Sequence, residues 1–324
     1  MKKVLFLLDK YTSGQPEFGL SNNAHNILDT FQQSVPDAQI YTLFFDESYM
    51  YGMHIDNMLL KYCERFKIDI IFISLLGASL VNPSLECINS IKNLGLKIIF
   101  IWCDNNPTEI FLQDAVSEIS DLNIILDYPT SDLHNTRREL HKRSGKYLYL
   151  WTPESKFLYY PDKHNINVSF IGSIRYEDRL GYINKLRKEF PDVYIRGGQR
   201  ESYLSPEGYA SLIRKSSINI NFSKNPNGYR QVKGRVFETT ASNTLLLEEE
   251  NESTLNFFNG STNYTSNLEY VTFSDADDLI EKVIFFLKNP DIKEKIALNG
   301  YNKFKNNWTA YHFWSIIMKK INEL

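Results

Sequence analysis

KGRVFETTASNTLLLEE (233–249) is the stretch that decides how the second half of this sequence folds. It reads as a basic loop, a short helix and then a buried strand. EYVTFSDADDLIEKVIFFLKNPDIKEKIALNGY (269–301) continues it with a second strand and paired helices. Strands alternating with helices at this spacing predict a parallel sheet covered on its faces. Glu238 is read as standing in the first turn of the short helix, close to Lys233 and Arg235. A carboxylate there accepts hydrogen bonds from hydroxyl groups, while the two cations face an anion.

Moving upstream, the same grammar begins at NVSFIGS (167–173), a strand with a glycine-containing turn, and runs through a helix at 177–190, VYIRGG (193–198), a helix after Pro206 and the strand ININ (218–221). KNPNGYRQVKG (224–234) is a polar loop. The first half repeats the pattern independently. KVLFLLD (3–9), QIYTLFF (39–45), DIIFISL (69–75), KIIFIW (97–102) and LNIILD (122–127) are near-continuous apolar runs, as strands buried on both faces require. Helical spacing recurs between them at 23–32, 55–66 and 83–93. In KYLYLWTPESKFLYYPDKHN (146–165) the periodicity weakens and prolines, charges and tyrosines accumulate, which marks a boundary. The expected fold is α/β, two tandem Rossmann-like domains facing across a cleft, spanning 1–160 and 161–306. Residues 307–324 form a terminal helix packing back toward the N-terminal domain, with Trp308, Tyr311, Phe313, Trp314, Ile317 and Met318 on its apolar face. Open α/β sheets bind ligands at the carboxyl ends of their strands, so function is sought there.

Composition narrows the class. A chain of 324 residues that is 43% apolar can bury two cores. Its net charge of −3 gives no electrostatic case for a nucleic-acid partner. Cys63, Cys87 and Cys103 have no CxxC spacing and an odd total, so they read as reduced thiols. The apolar run of MKKVLFLLDK ends at Asp9 and is too short for a signal peptide; no run reaches the roughly 18 residues of a membrane span. These features point to a cytoplasmic protein, with peripheral membrane contact left open. The six Asn-x-Ser/Thr sequons follow from an asparagine-rich composition.

NVSFIGS, RVFE, TLLLEE, EYVTFSDADDLIEKVIFFL and NGYNKF, in this order, resemble the carboxy-terminal domain of the spore-maturation (CgeB-like) glycosyltransferases, a group with the GT-B fold. The resemblance covers roughly residues 167–311. In the first 150 residues it is confined to the sheet pattern and an Asp after the strand in IFIWCDNNP (99–107). It implies a glycosyltransferase moving a sugar from a nucleotide diphosphate sugar, held by the second domain, to a glycan or other hydroxyl acceptor held by the first. Gly172 and Ser173 would then form the turn near the diphosphate, Lys233 and Arg235 would be phosphate partners, and Glu238 would bind the ribose. The sequence departs from the pattern where many relatives carry a second glutamate, here Arg230. That arginine is read either as a contact to an acidic sugar or phosphate oxygen, or as a solvated loop residue.

DAD at 275–277 precedes an amphipathic helix with Leu279, Ile280, Val283, Ile284 and Leu287, so its acids serve the helix start. No metal and no other cofactor is expected. For the acceptor side the first domain offers Asp9, His25 and Asp104 as candidate catalytic residues. Asp9 and Asp104 each follow a strand, and His25 begins the helix after the long loop 10–23. Most of the tyrosines and phenylalanines fall inside strands and helices and are core, with Tyr159, Tyr160 and Tyr229 as the exceptions. The same architecture would also serve a non-catalytic tandem Rossmann protein that binds a nucleotide or sugar. A two-lobed extracytoplasmic sugar-binding protein is disfavoured by the absence of a signal peptide.

Overall fold

Branched and aromatic side chains dominate strands such as 70–73 and 97–102 because these central strands are covered on both sides, which is the condition under which a parallel sheet persists. The computed structural model describes residues 1–324 except 77, 78, 80, 104, 105, 127, 175, 176, 198–203, 226, 227 and 266. Unit 1 comprises Met1–Tyr128, Asp132–Thr152 and Ala310–Leu324; unit 2 comprises Pro129–Ser131 and Pro153–Thr309.

The strands of unit 1 are β1 (Lys3–Leu8), β2 (Gln39–Phe44), β3 (Ile70–Ile73), β4 (Lys97–Trp102), β5 (Leu122–Ile125) and β7 (Tyr147–Tyr149). The two-residue β6 (Pro129–Thr130) lies in unit 2. The order is β2-β1-β3-β4-β5-β7, and every pair is parallel. Val4 of β1 is registered against Ile40 on one side and Ile70 on the other. Order reverses between β1 and β3, which creates a switch point at their carboxyl ends.

Helix Ala310–Glu323 is part of unit 1. Its Trp314 packs edge-on to Phe31 and Phe72 at centroid distances of 4.9 and 5.4 Å and donates Nε1–H to Thr30 Oγ1 at 2.9 Å. Phe313, Trp314, Ile317 and Ile321 are buried, while Tyr311 faces solvent. Trp308 is not on this helix: it closes helix Pro290–Asn307 and donates to the Phe257 carbonyl at 3.0 Å.

Unit 2 contains β8 (Ile166–Ile171), β9 (Tyr194–Arg196), β10 (Ser216–Asn221), β11 (Arg230–Gln231), β12 (Leu245–Glu249), β13 (Gly260–Ser261) and β14 (Tyr270–Phe273). Its main sheet has the order β13-β14-β12-β10-β8-β9, again wholly parallel. The switch point here falls between β8 and β10. β11 pairs antiparallel with β6, Arg230 against Thr130. The expected α/β fold of two Rossmann-like sheets is therefore present. No helix among the described residues is long and apolar enough to cross a membrane.

Candidate functional site

At the switch point of unit 2 the backbone itself makes room for a side chain. Gly172, the residue after β8, donates its N–H to the Arg196 carbonyl at 2.8 Å. A Cβ on Gly172 would lie 3.1 Å from both an Arg235 guanidinium nitrogen and the Phe170 ring. Gly197 has φ +102°, and a Cβ there would lie 3.0 Å from the Gly172 nitrogen. Two glycines thus pack backbone against backbone, and Arg235 fills the space that a side chain on Gly172 would take.

Arg235 comes from helix Gly234–Ala241, whose amino end is marked by the extended Lys233. It donates to Asn221 Oδ1 at 3.0 Å and to the Tyr209 hydroxyl at 3.3 Å. Asn221, at the end of β10, in turn donates to Glu248 Oε1 at 3.0 Å. Lys233 and Arg179 both donate to the Lys224 carbonyl, and Arg179 also reaches the Ser173 carbonyl at 3.1 Å. Glu249 accepts from the Ser223 and Lys224 backbone nitrogens and so fixes the loop after β10. Gly172, Ser173, Lys233 and Arg235 are thereby gathered at the carboxyl ends of β8 and β10. Among the described residues no side chain caps helix Gly234–Ala241, whereas Ser205 and Asp275 cap helices Pro206–Lys215 and Ala276–Lys288. Arg230 is held by its backbone: its carbonyl accepts from Thr130 Oγ1 at 2.9 Å, and no hydrogen bond or ion pair to its guanidinium occurs among the described residues.

Glu238 departs from its sequence reading. Lys233 is the last extended residue, so the helix starts at Gly234 and has no acidic residue in its first turn. Glu238 lies one turn further in, and the helix dipole is not its partner. It is 8% exposed and accepts a 2.5 Å hydrogen bond from the Tyr209 hydroxyl. The Tyr159 hydroxyl bonds it as well. Burial pushes its carboxyl upward, while the Arg235 charge and the two tyrosine hydroxyls pull it back down. Tyr159 is driven well above the usual tyrosine range, by burial first and then by the Glu238 charge. Carboxylate, guanidinium and two phenols form one interlocked network.

In unit 1, Asp9 sits at the other switch point, just past β1. It is 6% exposed and accepts from Asn23 Nδ2 at 2.6 Å. Asn23 also donates to Ser74 Oγ at 3.2 Å and accepts from Cys103 Sγ at 3.3 Å, so the residues just after β1, β3 and β4 meet on one amide. Burial raises the Asp9 carboxyl, opposed chiefly by the Asn23 bond. His25 is not part of this cluster. It lies in the π-helical turn Asn23–Asp29, with Nδ1 3.2 Å from Asp29 Oδ2. Asp104 lies outside the described residues. Among the described residues no group of three or more His, Cys, Asp or Glu is placed to hold a metal ion. The acids of 275–277 serve the helix start: Asp275 accepts from the Asp277 and Asp278 nitrogens at 2.9 and 3.0 Å.

Sequence reasoning missed Asn221, Tyr209, Glu248 and Arg179 in unit 2, and Asn23 and Ser74 in unit 1. One signal was present for Asn221: in ININ, alternate positions of a strand buried on both faces are amides, and such groups must find partners. Asn219 does so with Ser169 Oγ at 2.8 Å and Thr239 Oγ1 at 3.1 Å.

A family model described as glycosyl transferase-like matches residues 156–319, half of the chain. The chain belongs to this family. Among solved structures, this glycosyl transferase-like chain is similar to TarM, at 9% identity and a TM-score of 0.51 over 82% of the chain. It is likewise similar to a point mutant of S. aureus TarM in complex with fondaparinux, α-GlcNAc-glycerol and UDP, at 9% identity and a TM-score of 0.52 over 82% of the chain. Accessory secretory proteins 1, 2 and 3 of Streptococcus pneumoniae give 11% identity and 0.52 over 83%. The chain spans 57%, 58% and 56% of these structures' own lengths. At such identities the likeness is one of fold, and that fold is GT-B. No curated protein sequence matches the chain.

Proposed function

We propose that this chain is a metal-independent glycosyltransferase that moves a sugar from a nucleotide diphosphate sugar to a hydroxyl acceptor. Unit 2 is the donor side, and within the family the reading is of the CgeB-like kind. The observation that carries it is the placement of Arg235 against the Gly172 backbone at the β8/β10 switch point, where an open α/β sheet binds its ligand. In transfer, the acceptor oxygen forms a bond to the anomeric carbon, and the bond from that carbon to the diphosphate breaks. The electron pair leaves with the diphosphate oxygen, where charge grows. Arg235, Lys233 and Arg230 are assigned to that charge, which is the role a metal would otherwise fill. Asp9 is assigned the acceptor proton, because a carboxyl raised by burial is a stronger base than a solvated one. A role for Glu238 at the ribose hydroxyls uses the lone pairs left over from Tyr209 and Tyr159, since a carboxylate accepts about four hydrogen bonds.

Calorimetric titration with UDP, GDP, CDP and their sugars tests the assignment, with UDP first because it is bound in the S. aureus TarM complex. Binding that is weakened at least about tenfold by Arg235→Gln is expected, since a charge-assisted contact contributes about 1.5–3 kcal/mol. Full-strength nucleotide binding by that variant would remove unit 2's switch point as the donor site. A chain that binds nucleotide sugars and releases no nucleotide with any acceptor would instead be the non-catalytic binding protein.

A further inference from the structure

Unit 1 contains a cavity of about 610 Å³ beside its own switch point. Its walls come from three segments at the carboxyl ends of strands: Phe45 and Ile55 after β2, Leu75 and Val81 after β3, and Leu112 after β4. Leu75 is the residue after Ser74, so one wall of the cavity and one member of the Asp9 cluster both stand at the carboxyl end of β3. The size falls within the range of small-molecule sites, roughly 300–1,000 Å³.

The polar residues around it are committed to building it. Asp56 accepts from the Ser84 nitrogen at 2.9 Å and the Ser84 hydroxyl at 2.6 Å, which anchors the segment after β3 to helix Ile55–Phe66. Asn82 accepts from the Leu76 nitrogen at 3.0 Å. Ser84 also caps helix Leu85–Lys92 by accepting from the Cys87 nitrogen. The larger part of the remaining lining is hydrocarbon, from Phe45, Leu75, Val81, Ile88 and Leu112, with Tyr49, His54 and Ser79 as its other polar residues. A ligand made only of hydroxyl groups would exchange water for apolar walls there, which is unfavourable.

We infer that this cavity holds an alkyl or aryl group, and that the acceptor of unit 1 is an amphiphile whose apolar part sits among Val81, Leu75 and Leu112 while its hydroxyl end lies toward Asp9. Naming the ligand an acceptor rests on the glycosyltransferase reading; the apolar cavity itself does not. A bare hydroxylated glycan is the acceptor class this disfavours.

The test uses the full chain and n-alkyl β-D-glucosides from methyl to octyl, below their micellar concentrations, titrated by calorimetry alongside UDP. Affinity is expected to rise with chain length, by at least about tenfold from methyl to hexyl, because each buried methylene adds to transfer from water. Val81→Lys, which places a charge on a half-buried wall, is expected to abolish that rise while UDP affinity stays within twofold. Leu112→Gln is the milder second variant and is expected to blunt it. Equal affinity for methyl and hexyl glucosides, or a chain-length dependence untouched by both variants, overturns the inference. So does concentration-dependent self-association of the chain that Val81→Lys removes, since the occupant would then be a second copy. Chain-length dependence without any nucleotide binding would refute the donor assignment and leave the cavity standing.

Discussion

Replacing Glu238 by Gln conserves shape and removes one acceptor oxygen from a buried network. In the wild-type chain the carboxylate takes hydrogen bonds from Tyr209 and Tyr159 and faces Arg235. In the variant one terminal atom becomes an NH₂ donor, and a hydroxyl that faces it has to turn round and accept instead of donating. At least one charge-assisted hydrogen bond is lost, worth about 1.5–3 kcal/mol. Arg235 also loses its counter-charge, and a broken buried pair can cost about 3–5 kcal/mol. Arg235 is half-buried and keeps Asn221, so the lower range applies. For a unit of this size that corresponds to a melting temperature lowered by about 3–12 °C. Differential scanning calorimetry without ligand reads this directly, and UDP titration reads the second consequence. If the ribose uses the remaining lone pairs, nucleotide affinity falls by at least about tenfold over and above the loss of stability. Tyr209→Phe separates the two effects, because it removes one donor and leaves the carboxylate charged: melting falls by about 1 kcal/mol equivalent and UDP affinity stays. An unchanged melting temperature in Glu238→Gln would refute the interlocked network; an unchanged affinity would remove Glu238 from the donor site.

Glu248 is fully buried, and burial pushes its carboxyl up to about 8, so the folded chain keeps a proton that the unfolded chain releases above about 4.5. Its contribution therefore falls as pH rises from about 4.5 to about 8; Glu248→Gln is expected to flatten that slope and to be the more stable protein at pH 8 by a few kcal/mol, on the order set by linkage, and parallel melting curves across this range would contradict the assignment. Trp314→Ala should cost about 3–5 kcal/mol, and removing residues 310–324 should give an aggregating protein, because Phe31 and Phe72 lose their cover; a monomeric, soluble truncation by light scattering would count against the packing described. Saturating EDTA should leave donor turnover within about twofold, as expected if cationic side chains carry the diphosphate charge; strict dependence on added Mg²⁺ would overturn the metal-independent mechanism.

The central strands were legible because both sheets are parallel and covered on both faces there, so β1, β3 and β4 read as near-continuous apolar runs. Helix Ile55–Phe66 was equally legible, since Ile55, Leu59 and Cys63 line one buried face while its exposed positions, Asn57, Lys61, Glu64 and Arg65, are polar. Helix Asp132–Ser144 was not visible, because its sequence is dominated by charged and polar residues and its buried positions are two histidines. His141 gains its place by stacking on Tyr147 at 3.6 Å, a contact no hydropathy pattern encodes. β7 was hidden in the aperiodic stretch for a similar reason: Tyr147–Tyr149 is half-buried throughout. The pairing of β11 with β6 joins residues a hundred positions apart and could not be read from either segment alone. In the site, the cations and glycine of unit 2 were recognisable as a motif, but their partners lie on other elements. Glu238 was placed too near the helix start because Gly234 gave no sign of already being helical, and this one-turn shift replaced a dipole argument with a buried hydrogen-bond network.

The helix Ala310–Glu323 has a consequence for the order in which the protein is made. Unit 1 begins at the first residue, yet its core includes Trp314, set against Phe6, Phe31 and Phe72. Domains usually fold in the order of synthesis. Here the ribosome must translate all of unit 2 before it supplies the last wall of unit 1. A nascent chain stalled before residue 310 would carry a second Rossmann sheet able to close and a first one still wet along the face that Trp314 covers. Such a chain would hold a chaperone on its oldest part rather than its newest.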